Sequence, residues 1–203
     1  MKMTFENLAT FYPEQVSEPH GIPVLRGVEA IEGVLLPFNY AMGEKNRAGK
    51  IVHFFLDDAQ FVRVWNAPDK YIDLLRGFRA VMTPDFSTYT GMPKALQLYN
   101  HYRKHWCGAY WEKLQMKVIQ TISWSDESSF EWCFEGEATG RAVAISSVGT
   151  QNAPEARRLF LAGFEAMMER LHPSQVLCYG KAPAEIAGMV EEYPAWQIRR
   201  KEV

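Results

Sequence analysis

Six short apolar runs are distributed along the chain, and segments with helical periodicity separate most of them. The runs are rich in β-branched and aromatic residues, and several are apolar throughout, as expected for strands that are covered on both faces. Alternation of strands and helices favours a parallel sheet with right-handed crossovers. The runs comprise residues 33–38, 51–56, 78–82, 117–123, 142–146 and 175–179.

Prolines mark the starts of most predicted helices, because proline suits the first helical position. The two longest helices carry apolar residues at every third or fourth position, which indicates one buried face. Short helices are also expected directly after Asp58 and Asp126. The predicted longer helices comprise residues 69–76, 94–115, 154–171 and 183–191.

The link between the first two runs, residues 41–50, is polar and too short for a helical crossover, since parallel neighbours need about a dozen residues. We therefore expect the first two strands to form a hairpin or to lie apart. The predicted fold class is α/β, with about six mostly parallel strands joined by helical crossovers in a three-layer sheet or a partial TIM-like barrel. Residues 1–32 are predicted to form an N-terminal arm or cap, and residues 33–203 a single α/β domain.

Composition excludes several classes of protein. The 203 residues include 47% hydrophobic and 23% charged residues, which is typical of a globular protein. A net charge of -2 provides no overall attraction to nucleic acid or acidic lipid, and the basic end 199–201 is interpreted as solvated. No apolar window approaches the ~18 residues of a membrane span. The prediction is a cytoplasmic protein without a membrane partner, whose three cysteines are reduced and buried.

Polar side chains follow the predicted strands where these end, and ligands of parallel α/β folds bind at that edge. Asp57, Asp85 and Asp126 are the predicted catalytic carboxylates, which could act in acid/base chemistry or bind a divalent metal such as Mg²⁺. Lys181 is predicted to contact an anion or to act as a nucleophile. The predicted substrate-binding residues are Asn39, Tyr40, Asp58, Ser87, Tyr89, Trp124, Ser125 and Ser146.

Structural roles fit several of these residues equally well. Asp58 and Asp126 precede predicted helices, whose free N–H groups a carboxylate can cap. Asp85 could form a turn, and Lys181 could be a solvated loop residue. Because neighbouring residues of a strand point to opposite sides, one of Asp57 and Asp58 could cap a helix while the other faces the site.

Histidines offer a weaker indication of function. His53 lies within an apolar strand and is interpreted as a hydrogen-bonded core residue. His101 and His105 have the spacing of metal ligands on a helix, but Tyr102 occupies the glutamate position of HExxH and the helix offers no third ligand. The basic and aromatic stretch 99–105 is interpreted as an outer helix face.

Motifs at the strand ends together resemble a domain-of-unknown-function family, number 4417, found in phages and bacterial mobile elements. The resemblance covers residues 22–182 and implies an element-borne gene for replication, maintenance or conflict with host defence, without implying catalytic residues. The motifs are LPFNYA at 36–41, HFFLDD at 53–58, PDFS at 84–87, MP at 92–93, SWSD at 123–126 and LCYGK at 177–181.

The leading hypothesis is a phage or mobile-element enzyme, for example a hydrolase, that acts on a small polar, phosphorylated or nucleotide-like substrate. The alternative is a protein without catalysis that binds a host protein or nucleic acid, or that sequesters a signalling nucleotide. The sequence leaves the oligomeric state open.

Overall fold

Seven parallel strands, arranged in the order of the chain, form the central sheet. A computed structural model describes residues 6–195; residues 1–5 and 196–203, including the basic end 199–201, lie outside the described part. A small antiparallel pair, β1 (Val16–Ser17) and β2 (Ile22–Pro23), precedes the sheet. The sheet strands are β3 (Val34–Pro37), β4 (Lys50–His53), β5 (Ala80–Met82), β6 (Val118–Thr121), β7 (Ala142–Ser146), β8 (Gln175–Tyr179) and β9 (Glu191–Tyr193).

The sheet curls into a nearly closed barrel. His53 of β4 and Tyr179 of β8 are separated by three intervening strands, yet their ring centroids lie 4.5 Å apart across the interior. Apolar residues from β3 to β8 form one interior cluster, which includes Ile51 and Leu177. The predicted α/β class with parallel strands is confirmed, and the strands form a barrel instead of a flat three-layer sheet.

Helices pack around the outside of the barrel. One outer cluster contains Trp106 and Trp111 against the first strands, and a second contains Phe164 and Met167 against the later strands. The helices are α1 (Phe38–Ala41), α2 (Asp58–Phe61), α3 (Arg63–Asn66), α4 (Ile72–Arg76), α5 (Lys94–Lys113) and α6 (Pro154–Leu171), with 3₁₀ turns at Pro68–Tyr71, Glu127–Glu131 and Ala187–Met189. No helix within residues 6–195 combines the length and apolar composition needed to cross a bilayer.

The prediction for the connection between the first two strands of the sheet is wrong. β3 and β4 are adjacent and parallel, with Val34 opposite Lys50, and they form neither a hairpin nor a separated pair. The prediction counted the crossover from residue 41, whereas β3 ends at Pro37 and α1 begins at the next residue, Phe38. Residues 38–49 are therefore available for the crossover, which suffices for one helical turn and a loop.

The prediction of a last helix over residues 183–191 is also wrong. The chain forms only a 3₁₀ turn at Ala187–Met189, and Glu191 begins β9, which pairs in parallel with β8. Glu191 and Glu192 are exposed because β9 is the edge of the sheet, so this strand lacks the apolar run that marks the others.

The segment before β3 covers the amino end of the barrel. The side chain of Gln175, the first residue of β8, donates to the Ile31 carbonyl (3.0 Å) and accepts from the Ile31 amide (2.8 Å). Ala142, the first residue of β7, donates its amide to the Val28 carbonyl (2.7 Å). This segment, here called the floor of the barrel, lies over the amino ends of β7 and β8, so a ligand site is expected at the opposite, carboxyl end.

Candidate functional site at the carboxyl end of the barrel

Two cavities lie at the carboxyl ends of the strands, and Asp85 and Ser146 contribute to both linings. The first, here the α6 cavity, has a volume of about 340 Å³ and is lined largely by aromatic, aliphatic and hydroxyl side chains. The second, here the α1 cavity, has a volume of about 400 Å³ and is lined by Asn39, Tyr40, Phe55, Asp57, Gln60 and Tyr179, among others. These volumes suit a small molecule.

Paired threonines fix the strand ends that position Asp85. The Thr121 amide donates to Thr83 Oγ1 and the Thr121 hydroxyl donates to the Thr83 carbonyl, both at 2.8 Å. Asp85 lies two residues beyond Thr83, and its carboxylate accepts a hydrogen bond from Ser123, two residues beyond Thr121. The ends of β5 and β6 therefore hold Asp85 between the two cavities.

The electrostatic surroundings of Asp85 favour its protonated form. Burial raises the pKa of Asp85 to about 7, and the Asp58 carboxylate acts in the same direction. The Lys104 ammonium and the hydrogen bond from Ser123 act in the opposite direction without outweighing burial. Both protonation states are therefore populated near neutral pH, which suits a general acid or base.

Asp57 and Asp58 have different surroundings. Asp57 is exposed at the N-cap of α2, lines the α1 cavity and makes no side-chain cap bond. Asp58 lies in the first turn of α2 and accepts from the amide (3.2 Å) and hydroxyl (2.8 Å) of Ser87. Asn100 of α5 donates to the Ser87 carbonyl (2.6 Å), so this loop is tied to two helices.

Asp126 and Lys181 line neither cavity. Asp126 caps the 3₁₀ turn that follows it, by accepting from the amide (3.0 Å) and hydroxyl (2.6 Å) of Ser128. Lys181 is exposed, and its carbonyl accepts from the Gln151 side chain (2.6 Å). The structure thus separates these two residues from Asp57 and Asp85.

The predicted aromatic and hydroxyl residues are divided between the cavities. Tyr89, Trp124 and Ser125 line the α6 cavity, whereas Ser87 lines neither. Trp124 Nε1 donates to the Leu159 carbonyl (3.1 Å), and its indole lies over Gly163 of α6. A Cβ atom at Gly163 would lie 2.2 Å from the indole, so the glycine makes room for this wall of the cavity.

Comparison with known proteins identifies the family. A family model described as "Domain of unknown function (DUF4417)" matches residues 14–196. The chain belongs to the DUF4417 family. This confirms the resemblance seen in the strand-end motifs.

Two relatives of this DUF4417 chain are phage proteins. The Gene 1 protein of Mycobacterium phage L5 is 37% identical over 207 residues, which cover 99% of this chain and 86% of the relative. The Gene 1 protein of Mycobacterium phage D29 is 36% identical over 203 residues, covering 97% and 74% respectively. No solved structure matches the chain significantly. The relatives agree with the predicted phage origin.

Sequence reasoning missed a buried network beside the site in this DUF4417 chain. The stretch 99–105 was predicted to form an outer helix face, but Asn100, His101, Lys104 and His105 are all buried. Lys104 is 2% exposed, and its ammonium donates to the Thr121 carbonyl (2.8 Å) and to Glu137 (2.6 Å). The signal available in the sequence was the density of hydrogen-bonding residues on one helix.

His101, His105 and Glu137 form the one group of three with metal-ligand geometry within residues 6–195, with ligand atoms within 4.8 Å of one another. Glu137 thus supplies the third ligand that the helix lacks. However, Glu137 Oε1 already lies 2.6 Å from the Lys104 ammonium and 2.9 Å from His105 Nε2. A divalent cation would sit beside an ammonium with a single carboxylate, so the charge balance favours an ion-pair network over a metal centre.

Backbone carbonyls complete this network. His101 Nε2 lies 2.9 Å from the Glu135 carbonyl, and His105 Nδ1 lies 2.8 Å from the Pro23 carbonyl. Burial alone would raise the pKa of Glu137, but Lys104 and His105 outweigh it and lower that pKa. His53, in contrast, is a buried core residue that accepts from the Phe55 amide (3.3 Å), as predicted, and burial lowers its pKa to about 3.

Proposed function

We propose that this phage-family protein is an enzyme that acts on a small polar molecule at the carboxyl end of the barrel, with Asp85 as general acid or base. The observation that carries the proposal is the position of Asp85, the one carboxylate that contributes to the linings of both cavities within residues 6–195. A ligand in either cavity would therefore be next to Asp85.

The chemistry of the linings supports proton transfer. Asp85 has a pKa of about 7, so it can release or accept a proton near neutral pH. Ser123 and Ser146 place hydroxyl groups in the α6 cavity, and Asp57 adds a second carboxylate to the α1 cavity. A hydrolytic reaction would use Asp85 to activate water or to protonate a leaving group.

An untargeted substrate search tests the proposal. The native protein and Asp85→Asn are incubated with a bacterial small-molecule extract, and mass spectrometry records which compounds decrease. We expect at least one compound to be consumed by the native protein and spared by the variant. Asp126→Asn is the matched control, because Asp126 lines neither cavity, and it should consume the same compound. Equal consumption by Asp85→Asn, or none by the native protein, would contradict the proposal.

The same two cavities favour one alternative, a protein that sequesters its small ligand. The experiment separates the two functions, because a sequestered compound is depleted from solution but is recovered intact after the protein is denatured. An enzyme instead yields a product that accumulates with time at catalytic protein concentrations.

A further inference from the structure

We propose that the ligand of these two cavities carries a protonated amine and no phosphate, an inference that rests on the proposed function for the location of the site. The linings contain two carboxylates, Asp57 and Asp85, and no lysine, arginine or histidine from residues 6–195. A phosphate would therefore lie beside two carboxylates without a cation from this part of the chain, which is electrostatically unfavourable.

Asp85 lacks the cation contact that the protein gives to Glu137, a buried carboxylate. Glu137 forms an ion pair with Lys104 and contacts His105 Nε2, whereas neither Asp57 nor Asp85 forms an ion pair within residues 6–195. A carboxylate enclosed in protein is stabilised by a cation in contact with it. An ammonium group in the α1 cavity, whose lining includes both Asp57 and Asp85, would provide such a cation.

Aromatic rings complete the surroundings that an organic amine needs. Tyr40 and Phe55 line the α1 cavity beside Asp57, and a cation held near an aromatic face gains further electrostatic stabilisation. The α6 cavity, with Trp124, Leu159 and Phe160, accepts an apolar or planar body. The predicted ligand thus has an amine at one end and an apolar or planar portion at the other.

Three probes with similar bodies test the charge preference: phenethylamine, 2-phenylethanol and phenyl phosphate. Their affinities for the full chain are measured by ligand-observed NMR. We expect the amine to bind about tenfold more tightly than the alcohol, and the phosphate to bind more weakly than both. Equal or tighter binding of the phosphate would overturn the proposal, as would failure of the amine to bind at about 10 mM.

Variants locate the amine. Asp57 is exposed and makes no cap bond, so Asp57→Asn should fold normally and weaken the amine about tenfold while leaving the alcohol unchanged. Asp126→Asn, which alters a carboxylate outside both linings, should change neither affinity. If neither Asp57→Asn nor Asp85→Asn weakens amine binding, the assignment is overturned.

The pH dependence gives an independent readout. Asp85 interacts with Asp58, Lys104 and Ser123 and must be ionised to bind an ammonium, so amine affinity should rise from about pH 5.5 to about pH 8. The rise should disappear in Asp85→Asn, and 2-phenylethanol should show none in the native protein. A flat amine profile in the native protein would contradict the proposal.

The basic end 199–201 provides a final comparison, since it follows Ala195, which lines the α1 cavity. If phenyl phosphate binds the native chain tightly and a variant with glutamine at these three positions does not, the basic end is the anion ligand and the amine proposal is overturned. These binding results are separable from catalysis: Asp85-dependent conversion of a phosphorylated compound would uphold the enzyme and reject the amine. Amine binding without conversion of any compound would uphold the amine proposal and reject the enzyme.

Discussion

Asp85 and Glu137 are both enclosed by protein, yet their pKa values shift in opposite directions. Glu137 has a fully buried side chain in contact with the Lys104 ammonium and with His105, and these contacts outweigh burial and lower its pKa. Asp85 lies against two cavities without a contacting cation from residues 6–195, and burial raises its pKa to about 7. Enclosure alone therefore does not indicate function; the difference lies in whether the protein itself supplies the counter-charge.

Lys104 connects the two regions, because its charge acts on both carboxyl groups. Its ammonium contacts Glu137 and the carbonyl of Thr121, at the end of β6. Ser123, in the loop that follows β6, donates a hydrogen bond to Asp85. We interpret the Glu137 region as the rigid support of the barrel end and the Asp85 region as the part left open for a ligand. The following predictions test that division.

Removing Lys104 should have the largest effect. Lys104→Met leaves Glu137 buried with one cation fewer, and loss of a partner from a buried ion pair costs about 3–5 kcal/mol of unfolding free energy. Denaturant unfolding measures the loss. Lys94→Met, on the same helix, breaks only an exposed pair with Glu131 and should change stability by less than about 0.5 kcal/mol. Similar losses in both variants would remove the distinction between the regions.

Replacing Asp85 should change how stability depends on pH. Its folded pKa is above the unfolded value, so its stabilising contribution is full at low pH and is lost as pH rises through about 7. Asp85→Asn should therefore gain stability relative to the native protein between about pH 4 and about pH 8, by roughly 2–4 kcal/mol. Denaturant unfolding at several pH values checks the sign, and a constant difference would place Asp85 in an ordinary environment. Glu137, whose pKa is lowered, should contribute stability that is instead lost as pH falls.

Crowding the wall of the α6 cavity should have an intermediate effect. In Gly163→Ala the new methyl group must displace the Trp124 indole, and such overpacking costs about 1–3 kcal/mol. Trp124 lines the cavity, so tryptophan fluorescence and probe affinity should change together. Gly188→Ala, where a Cβ meets nothing within 4 Å, is the control and should alter neither property.

Removing the Asp126 carboxylate should have the smallest effect of the four. Asp126→Ala abolishes the cap on the following 3₁₀ turn and should cost about 1 kcal/mol. Amine binding should be unchanged, in contrast to Asp57→Asn. A change in affinity would show that Asp126 belongs to the ligand site.

The sequence predicted those strands whose residues are apolar on both faces, because burial within a barrel produces continuous apolar runs. It missed β9, since an edge strand with Glu191 and Glu192 lacks that pattern. Asp57 and Asp85 were identified because they lie in the loops that follow β4 and β5. Ser123 and Lys104 were missed, because the burial of Lys104 depends on Glu137, 33 residues away, which periodicity within one helix does not reveal.

The floor of the barrel constrains the order in which the chain can acquire its structure. The bonds between Ile31 and Gln175 join residues separated by 144 positions, so they cannot form during synthesis until β8 has been translated. Contacts of such high sequence separation slow folding, because the intervening chain must be ordered first. A nascent chain therefore exposes the interior faces of its early strands through most of translation, and closure of the amino end belongs to the final stage of folding.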